Sequence, residues 1–283
     1  MLNILILKTN PQPTKGLIHK PQFVRGKERE QILDWLKTLH PIWEMRYSKH
    51  NPPPPGSTNR QLLRPVYWLG NWQFACLNYY HPPKGIENRC IKAEWYPPSL
   101  QPFVQQAESI VRENFGSEDV PRGWHLNTCL INFYGDKIDG NNRIDCARVG
   151  EHKDFELGPV VSLSFGEKAL FQFVKSDSKQ GASVVTNQAW LGDGDLQIFG
   201  GHRFKRQLFH RVQRVDRKMG FHFPLPFKEF DTRRINFTFR YVPNEHILRW
   251  KHLPESLKQD TLPYMQELAK NSSYFRDELA QNP

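Results

Sequence analysis

His152, Asp154 and His210 form a set of side chains able to hold one metal ion. Two imidazoles and a carboxylate can occupy one face of Fe(II) and leave the opposite positions open to O2 and a chelating acid, the arrangement of non-haem iron oxygenases. Zn(II) accepts the same ligands, which makes a zinc hydrolase the chemical rival. An H-x-D pair is also short enough to arise by accident, with Asp154 capping a turn and His210 an ordinary half-buried ring. The spacing predicts that His152 and Asp154 open a strand and share one face of it, because residues i and i+2 of a strand point the same way. His210 falls in a second predicted strand, residues 208–212.

Further along, Arg234, Asn236, Thr238 and Arg240 recur at every second position and alternate with Ile235, Phe237 and Phe239. That period puts four polar side chains on one face of a strand and three apolar ones on the other. Two arginines on a buried face are costly unless anions meet them. A dicarboxylate such as 2-oxoglutarate would satisfy both, one guanidinium forming a bidentate fork with the distal carboxylate. The alternative is an edge strand whose arginines are solvated.

The elements that must position these residues follow from pattern and composition. Residues 26–39 carry Ile32, Leu33, Trp35, Leu36 and Leu39 at helical spacing, and Pro41 stops that helix. Residues 51–57, with four consecutive prolines, read as an extended loop. An aromatic-rich stretch follows over 64–80, with Tyr67, Trp68, Trp72, Phe74, Tyr79 and Tyr80, and the chain loosens over 81–85. A second helix is predicted over 102–115, with Phe103, Val104, Ala107, Ile110 and Val111 on one side. Beyond Pro121 the texture changes to short β-type runs separated by Gly, Asp and Asn: 126–134, 160–165, 169–174, 184–191, 195–199, 208–212 and 234–242. Seven or eight such strands fit a double-sheet jelly roll. Gly192, Gly194, Gly200 and Gly201 supply turns around one of them. Residues 252–283 look helical and polar.

At 283 residues the chain has enough sequence for a real core, as one large domain or two small ones. Its 4 cysteines show no C-x-x-C spacing, so neither a zinc ribbon nor a disulfide framework is expected. The apolar start, residues 1–8, is too short for a signal-peptide core, and no run approaches a membrane span; a soluble, intracellular protein is expected, with no membrane partner. A formal net charge of +10 favours polyanionic partners, and basic clusters stand at 203–206 and 211–218 where they could touch phosphates.

From residue 126 to 242 the sequence resembles the AlkB family of Fe(II)/2-oxoglutarate-dependent dioxygenases. The resemblance is carried, in order, by Asn132-Phe-Tyr134, His152-Lys-Asp154, residues 161–166, Phe171-Gln-Phe173, residues 194–201, His210, and residues 234–240. It implies an α+β fold: a double-stranded β-helix (jelly-roll) core over 121–245, an N-terminal extension with helices and a substrate lid over 1–120, and a helical C-terminal tail over 246–283, in one compact domain. It implies that His152, Asp154 and His210 hold iron, that Arg234 pairs with the distal carboxylate of 2-oxoglutarate helped by Tyr134 and Asn236, and that Asn132 and Arg240 lie nearer the metal-chelating end. O2 and 2-oxoglutarate are then cosubstrates.

Repair-type members carry an acidic residue two places after the metal Asp. Glu156 occupies that position here, and a carboxylate suits a cationic methylated adenine or cytosine. Such an enzyme must hold its base between flat side chains, for which Tyr67, Trp68, Trp72 and His152 are the candidates, although the aromatic stretch would serve equally as core. The reading is an oxidative demethylase of alkylated bases in DNA or RNA, a DNA-repair activity of a monomeric protein, cytoplasmic in a bacterium and nuclear or cytoplasmic in a eukaryote. Two alternatives remain: the same iron chemistry directed at a protein side chain or small molecule, and a catalytically silent nucleic-acid-binding module.

Overall fold

The structure, a computed structural model, describes residues 14–47, 49, 52–53, 55–57, 61–73, 90–176, 183–213 and 220–281. Residues 1–8, the aromatic stretch beyond Gln73, the segment 81–85, part of the proline-rich loop and residues 214–218 of the second basic cluster lie outside them.

In chain order the strands are β1 (Leu17–Lys20), β2 (Val66–Leu69), β3 (Asn71–Trp72), β4 (Cys90–Lys92), β5 (Thr128–Asp139), β6 (Asn142–Asp145), β7 (Val149–His152), β8 (Leu157–Gly166), β9 (Ala169–Ser176), β10 (Ser183–Leu191), β11 (Leu196–Phe199), β12 (Phe209–Gln213), β13 (Phe230–Tyr241) and β14 (Ile247–Leu248). The helices are α1 (Gly26–Leu36), α2 (Gln101–Asn114), α3 (Glu255–Ala269) and α4 (Ser273–Ala280). A major sheet runs β1-β11-β8-β13-β5-β2 with β6 paired to β5, and a minor sheet runs β10-β9-β12-β7. Two sheets of this kind, joined by strands that alternate between them, make the expected jelly roll.

Strand β13 lies at the centre of the major sheet, hydrogen-bonded to β5 on one side and β8 on the other. Its apolar face, Ile235, Phe237 and Phe239, is fully buried, and Phe239 packs 5.4 Å from Phe103 of α2. Burying each such side chain contributes about 1.5–3 kcal/mol. The helices thus cover one face of the major sheet and turn the face bearing Arg234, Asn236, Thr238 and Arg240 toward the minor sheet. The alternative of a solvated edge strand is thereby excluded.

The 26–39 helix stops at Leu36 because its last turn tightens: the Thr38 amide donates to Trp35 O at 2.9 Å and the Leu39 amide to Leu36 O at 3.2 Å, a three-residue spacing that ends the α-helix ahead of Pro41. The turn before β11 anchors the N-terminal segment. Gly194 has φ +75°, and a Cβ there would meet Val24 O at 2.1 Å, so only glycine lets the two backbones approach. Asp193 in the same turn pairs with Arg29 of α1 at 2.6 Å. Strands β1 and β2 form the two ends of the major-sheet path, so residues before 121 complete the sheet itself. The tail also packs inward: Phe275 of α4 lies 6.2 Å from the Trp72 ring. Cys90, Cys129 and Cys146 are buried, and no described helix is long and apolar enough to cross a membrane.

Candidate active site

His152 closes β7, and His210 stands opposite it in β12, the ring centroids 4.2 Å apart. A 58-residue separation in sequence therefore becomes one cross-strand pair in the minor sheet. Asp154 lies on no strand. Residues 153–156 cross from β7 in the minor sheet to β8 in the major sheet, and Asp154 reaches the histidines from that crossing. The expectation that the H-x-D pair opens a strand is corrected accordingly: the bend of the crossing, not the pleat, aims the carboxylate. Lys153 ties the crossing down, its Nζ donating to Arg206 O at 2.6 Å and lying 4.4 Å from the Phe209 ring.

One ligand atom from each of the three residues lies within 4.8 Å of the others. His152 Nδ1 donates to Gly150 O at 2.8 Å; a carbonyl only accepts, so Nε2 keeps its lone pair for a metal. Arg240 holds Asp154 Oδ1 through Nε at 2.9 Å and Nη2 at 2.7 Å, which leaves Oδ2 facing His210 Nε2 at 3.4 Å. Burial and the neighbouring His152 keep His210 well below the usual imidazole range, and burial likewise lowers His152. Burial would raise Asp154, but Arg240, His210, Lys205 and His152 together hold its carboxyl well below the usual range. Neutral imidazoles and an ionised carboxylate are the protonation states a divalent cation requires. The triad fits an ion.

The other half of the site lies on the major sheet. Register pairs Arg234 with Tyr134 and Asn236 with Asn132 across β5, and Asn236 with Ser164 across β8. Arg234 is 4 % exposed. It donates from Nη2 to Ser164 Oγ at 2.7 Å and lies 5.5 Å from the Tyr134 ring. Its Nε has no acceptor, and among the described residues no carboxylate pairs with it. Burial pulls its guanidinium below the usual range. A buried, uncompensated cation of this kind is a seat for an anion. Asn236 is held by Ser162 Oγ at 2.8 Å and Leu163 O at 3.2 Å, and Asn132 Oδ1 accepts from Arg64 Nε at 2.8 Å.

The triad shares a cavity of about 490 Å³ with Asn236, Thr238 and Arg240 of the polar face and with Asn132 and Tyr134; Arg234 lies behind Tyr134 and Ser164 rather than in its lining. Period-two alternation sorts the aromatic candidates on β2. Trp68 faces this cavity, whereas Tyr67 turns away and donates to Glu94 Oε2 at 2.7 Å. Trp72 is core, beside Tyr264 and Phe275. Glu156 is in the wall of a second cavity, of about 470 Å³, with Asp154 between the two; its Oε1 accepts from Gln73 Nε2 at 3.1 Å and its Oε2 lies 3.6 Å from Arg240 Nε. Of the 203–206 cluster, Lys205 and Arg206 line that second cavity from a π-helical turn, His202–Gln207.

Sequence reasoning missed Glu44 and Arg64, both in the wall of the first cavity. Arg64 lies 4.7 Å over the Tyr134 ring. Neither sits in a periodic run, and no local signal could have found them.

The sequence model of the 2OG-Fe(II) oxygenase superfamily matches residues 16–240. The chain belongs to that superfamily. It is an Fe(II)/2-oxoglutarate-dependent oxygenase, and the zinc reading of the same ligands gives way to iron. The match agrees with the AlkB-type motifs of residues 126–242 and extends N-terminally through the outer strands of the major sheet. Among solved structures, this oxygenase is similar to OsALKBH1, with 20% identity over 82% of this chain and 100% of that one and a TM-score of 0.45. It is also similar to YcfD, a ribosomal oxygenase from Escherichia coli in complex with cobalt and succinic acid (10% identity, 93% of this chain, 66% of that one, TM-score 0.34). A third match is IDO from Bacillus thuringiensis (10% identity, 81% and 94%, TM-score 0.36). None of the curated proteins compared with the chain matches it.

Proposed function

We propose that this oxygenase removes N-alkyl groups from nucleobases in DNA or RNA, of the 1-methyladenine or 3-methylcytosine type. The observation that carries the reading is the cavity itself: its inner wall holds the triad, Trp68 offers a flat apolar side, and Arg46, Arg64 and Arg148 bring positive charge to its lining. A site of this size takes one extruded base rather than a folded chain. The formal net charge of +10 acts in the same direction over longer range.

In this reading His152, Asp154 and His210 hold Fe(II). Arg234 forks the distal carboxylate of 2-oxoglutarate, with Tyr134 and Asn236 beside it. Arg240 fixes the orientation of Asp154 and, with Asn132, borders the chelating end of the cosubstrate. Iron, when bound with O2 and 2-oxoglutarate, supplies the oxidising power that hydroxylates the N-methyl carbon while the cosubstrate becomes succinate and CO2. The hydroxymethyl product then loses formaldehyde and leaves the unmodified base.

Incubation with Fe(II), 2-oxoglutarate and an oligonucleotide containing 1-methyladenine or 3-methylcytosine is expected to release succinate and formaldehyde in step. Succinate without demethylation would remove the substrate and leave the oxygenase standing. Binding of the oligonucleotide is expected to weaken steeply with salt, as contacts to phosphates require.

A further inference from the structure

Glu44 is 1 % exposed and lies in the wall of the cavity that holds the triad. Its Oε1 accepts from two indoles at once, Trp68 Nε1 at 2.6 Å and Trp72 Nε1 at 3.1 Å. Among the described residues nothing donates to Oε2. A glutamine carbonyl would satisfy both indoles without burying a charge, so the pair of indoles does not by itself account for an acid here. Trp68, which orients the carboxyl, is also a cavity wall, so an acidic oxygen and a flat aromatic side chain lie together in the same lining. An acid beside an aromatic face suits a planar cation.

We propose that Glu44, through Oε2, receives the cationic, N–H-bearing edge of the substrate, and that it rather than Glu156 is the acidic specificity residue of this oxygenase. The inference rests on the nucleobase reading above. Burial raises the Glu44 carboxyl to about 8, against the pull of the Trp72 and Trp68 hydrogen bonds and of Arg64. An arriving cation would favour its charged form, so acid and substrate stabilise each other only when both are present. Glu156, with Oε1 on Gln73 and Oε2 near Arg240, stands on the other side of Asp154.

The test compares oligonucleotides carrying 3-methylcytosine, a cation with an exocyclic amine, and 3-methylthymine, a neutral ring with a carbonyl at that position. In Glu44→Gln the amide carbonyl keeps both indole bonds and its NH2 faces the cavity. The ratio of kcat/KM for 3-methylcytosine over 3-methylthymine is expected to fall by at least about tenfold, while Glu156→Gln leaves it within about threefold. An equal loss on both substrates, or a ratio that follows Glu156 instead, overturns the role of Glu44 and leaves the demethylase reading intact. If Glu44→Gln does not fold, the wild-type ratio decides, and a value near one overturns the inference. If the wild type oxidises no nucleobase, the demethylase reading falls. Glu44 is then judged by binding of a dimethyl-lysine peptide: tighter binding to wild type than to Glu44→Gln keeps it as a cation acceptor, and equal or absent binding overturns it.

Discussion

Arg233 and Arg234 are neighbours on one strand, both almost fully buried, and they do opposite things. Arg233 is met by the chain's own carboxylates: Glu167 in close contact, Asp136 at 2.9 Å and Asp145 at 3.3 Å. Arg234 meets a serine hydroxyl and an aromatic ring, with no carboxylate among the described residues. A register shift in the pairing with β5 falls between Thr232 and Arg234, where the strand turns its two arginines to different surroundings. One guanidinium is a closed structural ion cluster and the other an open half-site. A buried charge becomes functional when its countercharge must come from outside the chain.

The same substitution at both positions separates these roles. Arg233→Met leaves buried carboxylates without their cation and is expected to destabilise the protein by about 3–5 kcal/mol in urea denaturation. Arg234→Met removes an uncompensated charge, so stability without cosubstrate should change by less than about 1 kcal/mol. Affinity for 2-oxoglutarate should instead fall by roughly thirtyfold or more by calorimetry. Comparable destabilisation at both positions would erase the distinction. The metal tells the halves apart a second way. His152→Ala should abolish Co(II) or Fe(II) retention in equilibrium dialysis, whereas Arg234→Met should keep metal affinity within a fewfold; equal losses would contradict the division of roles. Saturation with 2-oxoglutarate at about 100 times its wild-type Kd should stabilise the metal-loaded wild type by about 2.7 kcal/mol and Arg234→Met, at the same concentration, by about 0.9 kcal/mol or less.

The last effect concerns Glu44 and is read as a slope with pH. Its carboxyl is raised by burial from 4.5 to about 8. The unfolded chain therefore releases this proton near pH 4.5 and the folded chain only near 8, so unfolding sheds a proton between them. Stability from this group is fully present below pH 4.5 and is lost as pH rises toward 8, by up to about 1.4 kcal/mol per pH unit. Glu44→Gln should remove that slope when stability curves of variant and wild type are compared from pH 5 to 8. An unchanged slope would show that the carboxyl is not buried as described.

Much of the frame is legible in the chain. The helix at 26–39 and the long strands were marked by apolar periods of 3.6 and 2, and period two also put Arg234, Asn236, Thr238 and Arg240 on a shared face. Strands β3, β4 and β14 are three residues or fewer, too short for any period to register. Tyr67 and Trp68 sit side by side in the same aromatic run, and only the orientation of β2 against β5 turns one to the cavity and the other to Glu94. Asp154 was expected on a pleat and instead reaches its partners from a crossing between sheets. Glu156 holds the motif position of a substrate contact but lies in the second cavity, whereas Glu44 and Arg64, which no motif marks, line the first.

By itself the sequence determined the ligand types, the polar strand face and the excess of basic charge, because residue identity and local period are properties of consecutive positions. Only the tertiary structure decided which buried charges are answered from within. Glu167 and Asp136, which meet Arg233, stand 66 and 97 residues away from it. Countercharge at such separations depends on the packing of two sheets and cannot be read from neighbours in the chain, and it is this packing that leaves Arg234 with no carboxylate partner among the described residues.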